Sequence, residues 1–206
     1  MANLEGNHPI KPMPFAYEKV SSVMDEATYK WHHDTHYAGY VNKRNEIEAM
    51  LKTADLSKAN ANYSVYRELK LEETWNADGA VLHELYWDSM GGDGKLGDDE
   101  LAKRIAEDFG SFDAWKADFM ACAKVSRGWT ALVLDMSTDV KTRNVLLDFH
   151  NIGGFVGAMP LIVVDVYEHA YYHKFGPDRA SYLQAFVDNI DWAKAKNRYK
   201  ALTNMG

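Results

Sequence analysis

The sequence predicts an α+β fold. An N-terminal α-helical hairpin occupies residues 1–92, and a C-terminal domain with a three-stranded antiparallel sheet and helices occupies residues 93–206. Three observations predict it. Two long stretches, Asp25 to about Lys52 and about Asn62 to Ser89, carry apolar and aromatic residues at helical spacing. Gly91-Gly92-Asp93-Gly94 is the strongest break in the chain. Beyond Trp129 the texture changes to short apolar or β-branched runs between turn residues.

Each element follows from local residues. Residues 1 to about 24 carry Pro9, Pro12 and Pro14 with little periodicity, so they read as an extended arm. Asp25 or Ser22 caps the first helix, in which Tyr29, His33, His36, Tyr40 and Val41 recur. The second helix is rich in Leu, Glu and Trp and stops at the glycine run. Two more helices are expected near 98–107 and 111–125, the latter started by Ser111. Trp129–Met136, Asn144–Phe149 and Leu161–Val166 are the expected strands. After Gly176-Pro177-Asp178, a last helical region runs from Ser181 to Leu202.

Composition narrows the function. The chain has 206 residues, 47% hydrophobic and 26% charged, as in an ordinary globular protein with a substantial core. A net charge of −7 without a basic stripe argues against nucleic-acid binding. It also means that an anionic substrate needs a local positive funnel. Cys122 is the single cysteine, which excludes an intrachain disulfide and a cysteine-based zinc site; it reads as a packing residue. No N-terminal apolar h-region and no run of 18 apolar residues is present, so neither secretion nor a membrane is expected. Asn62-Tyr63-Ser64 fits a glycosylation sequon but carries little without a secretion signal. The expected location is the cytoplasm.

The chemistry concentrates in histidines and one aspartate. The apolar run Met159–Val164 ends on Asp165, and a carboxylate there needs a partner. His169 follows four residues later and adds a nitrogen to that oxygen. On the first helix His32 and His36 share a face, flanked by Trp31, Tyr37 and Tyr40. His83 lies on the second helix, where an antiparallel hairpin lets it face His32. His32, His83, Asp165 and His169 are therefore candidate metal ligands. Three nitrogens and one oxygen without sulfur suit iron or manganese with an open position, and zinc fits on ligand type alone. Two motifs are decoys. Gly92-Asp93-Gly94-Lys95-Leu96-Gly97 matches a dinucleotide fingerprint but follows a helix, not a strand. His83-Glu84 begins like a zinc-protease motif, but Trp87 occupies the second histidine's place.

His32-His33-Asp34-Thr35-His36-Tyr37 with Tyr40-Val41-Asn42 resembles the first-helix motif of the iron/manganese superoxide dismutases. Leu82-His83-Glu84-Leu85-Tyr86-Trp87 resembles the second motif, and Asp108–Ser111 and Gly128-Trp129 resemble later landmarks. Asp165-Val166-Tyr167-Glu168-His169-Ala170-Tyr171-Tyr172 resembles the family's signature D-V-W-E-H-A-Y-Y. The resemblance spans about residues 12–199. It implies an enzyme that dismutates superoxide with one mononuclear iron or manganese ion held by His32, His83, Asp165 and His169. It implies that Tyr40 and His36 form the gateway to the site and that Arg179 lies near the funnel. Glu168 is implied to reach across a subunit interface to His169 of the other copy, and Tyr172 to meet His36 there. The implied assembly is a homodimer or a tetramer of such dimers.

Departures from the family pattern are informative. The glutamine that usually hydrogen-bonds the solvent on the metal has no counterpart. Gly79, four residues before His83, resembles the manganese-type pattern, which places that glutamine in the sheet; there this chain has Phe149-His150-Asn151. His150 is therefore the expected outer-sphere donor. Tyr167 and Ala131 stand where tryptophans are usual, and Tyr37 where a histidine is common. Lys30 and Arg179 are the expected local cations for a superoxide anion. A zinc-dependent hydrolase and a non-enzymatic metal-binding protein are the competing readings. Bound zinc alone without superoxide loss favours the first, and unchanged metal content after His83→Ala favours the second.

Overall fold

The structure, a computed structural model, describes residues 7–137, 139–154 and 156–204. Of the expected arm, residues 1–6 lie outside that range. Its later part is tied down. His8 N donates to Asn45 Oδ1 at 2.7 Å, and the His8 ring lies 2.9 Å from the buried Glu48 carboxylate. Val20, Val23 and Met24 are fully buried, so the arm ends as core rather than as a surface strand.

Asp25 starts α1 (Glu26–Trp31), its Oδ1 accepting from Thr28 N at 2.7 Å. The chain then runs through a π-helical segment, His32–Tyr37, into α2 (Ala38–Lys52). The periodicity predicts one regular helix here, and the wide turn is the difference. In a regular α-helix, residues five apart are rotated by about 140°. The π turn instead lets His32 and Tyr37 both point inward, at 1% and 0% exposure. Ser64 caps α3 (Val65–Asp88), which folds back on α2 to complete the hairpin.

Asp99 and Ser111 cap α4 (Glu100–Phe109) and α5 (Phe112–Val125). The sheet order is β3-β2-β1-β4, all antiparallel. It comprises β1 (Trp129–Asp135), β2 (Lys141–Phe149), β3 (Ile152–Gly153) and β4 (Ala158–Asp165). Three strands were expected, and β3 is the fourth. Two residues are too short to show alternation. Its Gly153 has φ +112°, and a Cβ there would lie 2.5 Å from Leu146 O, so glycine is required by the close approach. The central strand β1 is buried at every position, as a strand covered on both faces must be.

α6 (Glu168–Phe175), α7 (Arg179–Val187) and α8 (Trp192–Thr203) close the chain. The last helical region, expected as one run over 181–202, is two helices. The break is imposed by the glycine run packed beneath it. Gly92 N donates to Asn189 O at 3.0 Å, Asp191 N donates to Ser89 O at 2.9 Å, and Met90 bridges Ile190. A Cβ on Gly92 would lie 2.3 Å from Ile190 O. The main core joins Trp115, Phe119, Trp129, Tyr182 and Phe186 beneath the sheet.

Candidate metal centre

The end of β4 aims Asp165 into the seam between hairpin and sheet. Its carboxylate is fully buried. Oδ1 accepts from Tyr167 N at 2.8 Å, which turns Oδ2 toward the histidines. Oδ2 lies 3.1 Å from His32 Nε2, 3.2 Å from His169 Nε2 and 4.0 Å from His83 Nε2. The ligand atoms of His32, His83, Asp165 and His169 all lie within 4.8 Å of one another. Two atoms bonded to one ion at about 2.1 Å each sit at most about 4.2 Å apart. The cluster is therefore the size of a single-ion site, needing at most a few tenths of an ångström of closure.

Two of the three rings, His32 and His83, already have the neutral state an ion requires. His83 Nδ1 donates to Gly79 O at 2.6 Å, so its lone pair is on Nε2, facing the carboxylate. His83 Nε2 and His169 Nε2 are buried without hydrogen-bond partners, and His32 faces the carboxylate with Nε2. Orphaned buried nitrogens of this kind are rare unless an ion or water satisfies them. Burial lowers the His32 pKa to about 4 and that of His83 well below the ordinary value. For Asp165 burial pushes upward, but His169 and His32 outweigh it and hold the carboxyl far below the usual range. Burial also opposes protonation of His169, yet the Asp165 charge raises its pKa. An ionised carboxylate beside the neutral imidazoles of His32 and His83 suits metal binding, and His169 would give up its proton as the ion binds.

Around this core stands a second set of side chains. Trp129 Nε1 donates to His150 Nδ1 at 2.9 Å. An indole can only donate, so His150 carries its proton on Nε2 and gives it to Tyr40 OH at 2.8 Å. Burial lowers the His150 pKa to about 4, consistent with a neutral ring. Tyr40 thus keeps its own hydroxyl hydrogen for another acceptor. Below the carboxylate, Tyr182 OH donates to Asp165 O at 2.7 Å and lies 2.9 Å from Tyr86 OH. Tyr167, where the resembled family usually has tryptophan, stacks on His169 with ring centroids 5.6 Å apart.

The remaining candidates are more dispersed. His36 stacks on His169 at 4.2 Å. A cavity of about 340 Å³ opens there, lined by Trp31, His36, Glu168, His169 and Tyr172 among others. Trp31 and Tyr172 are 56% and 50% exposed at its edge. Arg179 does not join the cluster. It donates to Ser126 O at 2.9 Å and to Tyr171 OH at 3.2 Å. Lys30 is also outside the cavity wall, with its ammonium 2.7 Å from Glu26.

Sequence reasoning missed Trp129 as the partner of His150, although the Gly128-Trp129 motif was visible. The pairing depends on β1 and β2 lying side by side. It also missed the Tyr182–Asp165 bond and the full role of Gly79. A Cβ on Gly79 would meet Tyr40 Cδ1 at 2.8 Å, so this glycine makes room for the Tyr40 ring. Gly79→Ala therefore sets two effects against each other. Helix propensity favours alanine by about 1 kcal/mol, whereas overpacking costs about 1–3 kcal/mol. The expected outcome is a net loss of stability and displacement of Tyr40 from His150, read by denaturant unfolding at fixed metal content. A midpoint that rises would show that the ring has free space to move.

No helix among the described residues is long and apolar enough to cross a membrane. Residues 7–91 match the family profile "Iron/manganese superoxide dismutases, alpha-hairpin domain", and residues 97–198 match the profile for the C-terminal domain of the same family. The chain is 42% identical over 199 residues to "Superoxide dismutase [Fe]" of Aquifex aeolicus, covering 95% of this chain and 93% of that one. It is 38% identical over 198 residues to "Superoxide dismutase [Mn] 2" of Haloferax volcanii, covering 94% and 96%. It is 39% identical over 196 residues to "Superoxide dismutase [Mn] 1" of Halobacterium salinarum, covering 94% and 95%.

Proposed function

The chain belongs to the iron/manganese superoxide dismutase family, and from that premise we propose that His32, His83, Asp165 and His169 hold its single metal ion. The protein is a superoxide dismutase. It converts two superoxide ions and two protons into dioxygen and hydrogen peroxide, using one iron or manganese ion. The observation that carries the ligand assignment is the convergence of His32 Nε2 and the partnerless buried Nε2 atoms of His83 and His169 around one buried carboxylate.

When bound, the ion supplies a centre that takes one electron from one superoxide and returns one to the next. The chain does the rest. Asp165 adds one negative charge among neutral imidazoles and so favours the higher charge state of the ion. Burial of the cluster excludes bulk water, which strengthens each of these interactions. Trp129 fixes the tautomer of His150, and His150 fixes Tyr40. Tyr40 is then left with a hydroxyl proton to offer at the mouth of the site. His36, stacked on His169, forms the other side of that mouth. Elemental analysis beside activity after reconstitution with iron, manganese or zinc tests this reading. Activity with zinc alone, or none with either redox metal, overturns it.

The enzyme is further read as cytoplasmic, with two domains meeting at the glycine run, and as a homodimer or a tetramer of such dimers. Three features support the dimer. Glu168 is exposed and makes no hydrogen bond or ion pair among the described residues. His169, whose side chain is 25% exposed, makes no hydrogen bond through Nδ1 among them. Exposed Trp31 and Tyr172 flank both residues. In a two-fold dimer Glu168 of each copy would meet His169 of the other, giving two such pairs per interface. Arg179 acts in this reading through Tyr171, on which its guanidinium packs, rather than by touching substrate. Glu168→Ala is expected to weaken association by about 2 kcal/mol or more per pair. Sedimentation velocity over a dilution series reads it, and an unshifted association curve removes Glu168 from the interface.

A further inference from the structure

A second cavity lies behind the metal centre, on the part of the sheet that α3 and α8 leave uncovered. Its volume is about 520 Å³. Val81, Leu85, Leu147, Met159 and Leu202 are among the apolar residues of its wall. Val81 and Met159 are 42% and 46% exposed, so the groove opens to solvent. His150 contributes to the same wall, which sets any occupant one side chain away from Tyr40.

Two charged residues line this groove, and they are not equivalent. Arg198 is paired. Its Nε and Nη2 donate to Leu161 O at 3.2 and 2.6 Å, and its Nη1 lies 3.5 Å from Asp88. Asp78 is half-buried and forms no hydrogen bond or ion pair among the described residues. Burial raises its pKa, and the opposing charge of Arg44 is committed to Glu48 at 2.8 Å. Asp88, which marks the Arg198 end, stands ten residues along α3 from Asp78, or about 15 Å at the helical rise. The groove therefore has an apolar length with one uncompensated negative charge at the end nearer Trp75 and His150.

We propose that this groove binds an amphipathic organic cation, its ammonium on the Asp78 carboxylate and its apolar body along Val81, Leu85, Leu147 and Leu202. The carboxylate is the only groove charge left unpaired among the described residues, and the walls offer an apolar tail a place out of water. An anionic amphiphile meets the wrong charge at that end. A neutral one gains only the wall contacts.

The test uses the metal-loaded full chain and titration calorimetry with n-octylammonium, n-octanol and n-octanoate, all below micelle-forming concentrations. The expected result is one octylammonium per chain, bound more tightly than either analogue. Asp78→Asn is expected to weaken octylammonium at least tenfold and leave octanol unchanged. Val81→Arg, at an exposed position, should abolish octylammonium binding without affecting folding. Octanoate binding as tight as octylammonium, equal affinity in Asp78→Asn, or no saturable binding overturns the proposal. So does a fall in sedimentation coefficient on adding octylammonium, which shows that a second copy of the chain covers the groove. The readout is binding alone, so its failure leaves the dismutase assignment untouched.

Discussion

Asp165→Ala leaves the protein without its metal ion. The expected metal content after dialysis falls from about one ion per chain to under a tenth, and dismutase activity falls at least about a thousandfold. The reason is electrostatic. Asp165 supplies the only carboxylate in the buried four-residue cluster, and its Oδ2 is the atom on which the three histidines converge. Loss of a partner one layer further out typically lowers metal affinity 10–100-fold, and loss of a ligand that also supplies the balancing charge must exceed that. The fold itself should survive. Removing a buried carboxylate that lacks its ion relieves desolvation, which offsets the lost hydrogen bond to Tyr167 N. Elemental analysis with circular dichroism separates the two effects. A folded variant that keeps one tightly bound ion would count against the ligand set.

His150→Gln changes which metal works. In the native chain one ring nitrogen accepts from Trp129 and the other donates to Tyr40, so the imidazole has no donor left over. A glutamine amide can accept from Trp129, donate to Tyr40 and still hold one N–H for the cluster. That extra donor alters the field at the ion, and about 59 mV is a tenfold change in a one-electron equilibrium. The expected result is a change of tenfold or more in the ratio of iron-supported to manganese-supported activity. His150→Ala is the harsher control. It leaves Trp129 Nε1 and Tyr40 OH without their partner, costing about 1–3 kcal/mol for each buried group. An activity ratio that stays constant in His150→Gln would falsify the tuning role, while leaving the structural bonds intact.

Part of this centre was legible from residue order because that part is local. Asp165 and His169 are four residues apart across a strand-to-helix junction, and the caps at Asp25 and Ser111 follow one-turn rules. Boundaries imposed from a distance were less legible. The π turn at His32–Tyr37 has no composition signal, since it exists to let two inward side chains share a face. The split between α7 and α8 came from the glycine run packing against Asn189 and Ile190, a contact between residues about a hundred positions apart. β3 is too short to carry a pattern.

The order of residues by itself determined the donor chemistry: three imidazoles, one carboxylate and no thiolate, placed on elements whose periodicity turns them inward. Only the tertiary structure decided which nitrogen of each ring is free, that Trp129 governs His150, that Arg179 stands apart from the cluster, and that Gly79 leaves space for Tyr40. Chemical identity is a property of single residues and survives in a string of letters. Proton placement and clearance are properties of atoms brought within about 3 Å of each other by distant segments, and a string of letters does not contain distances.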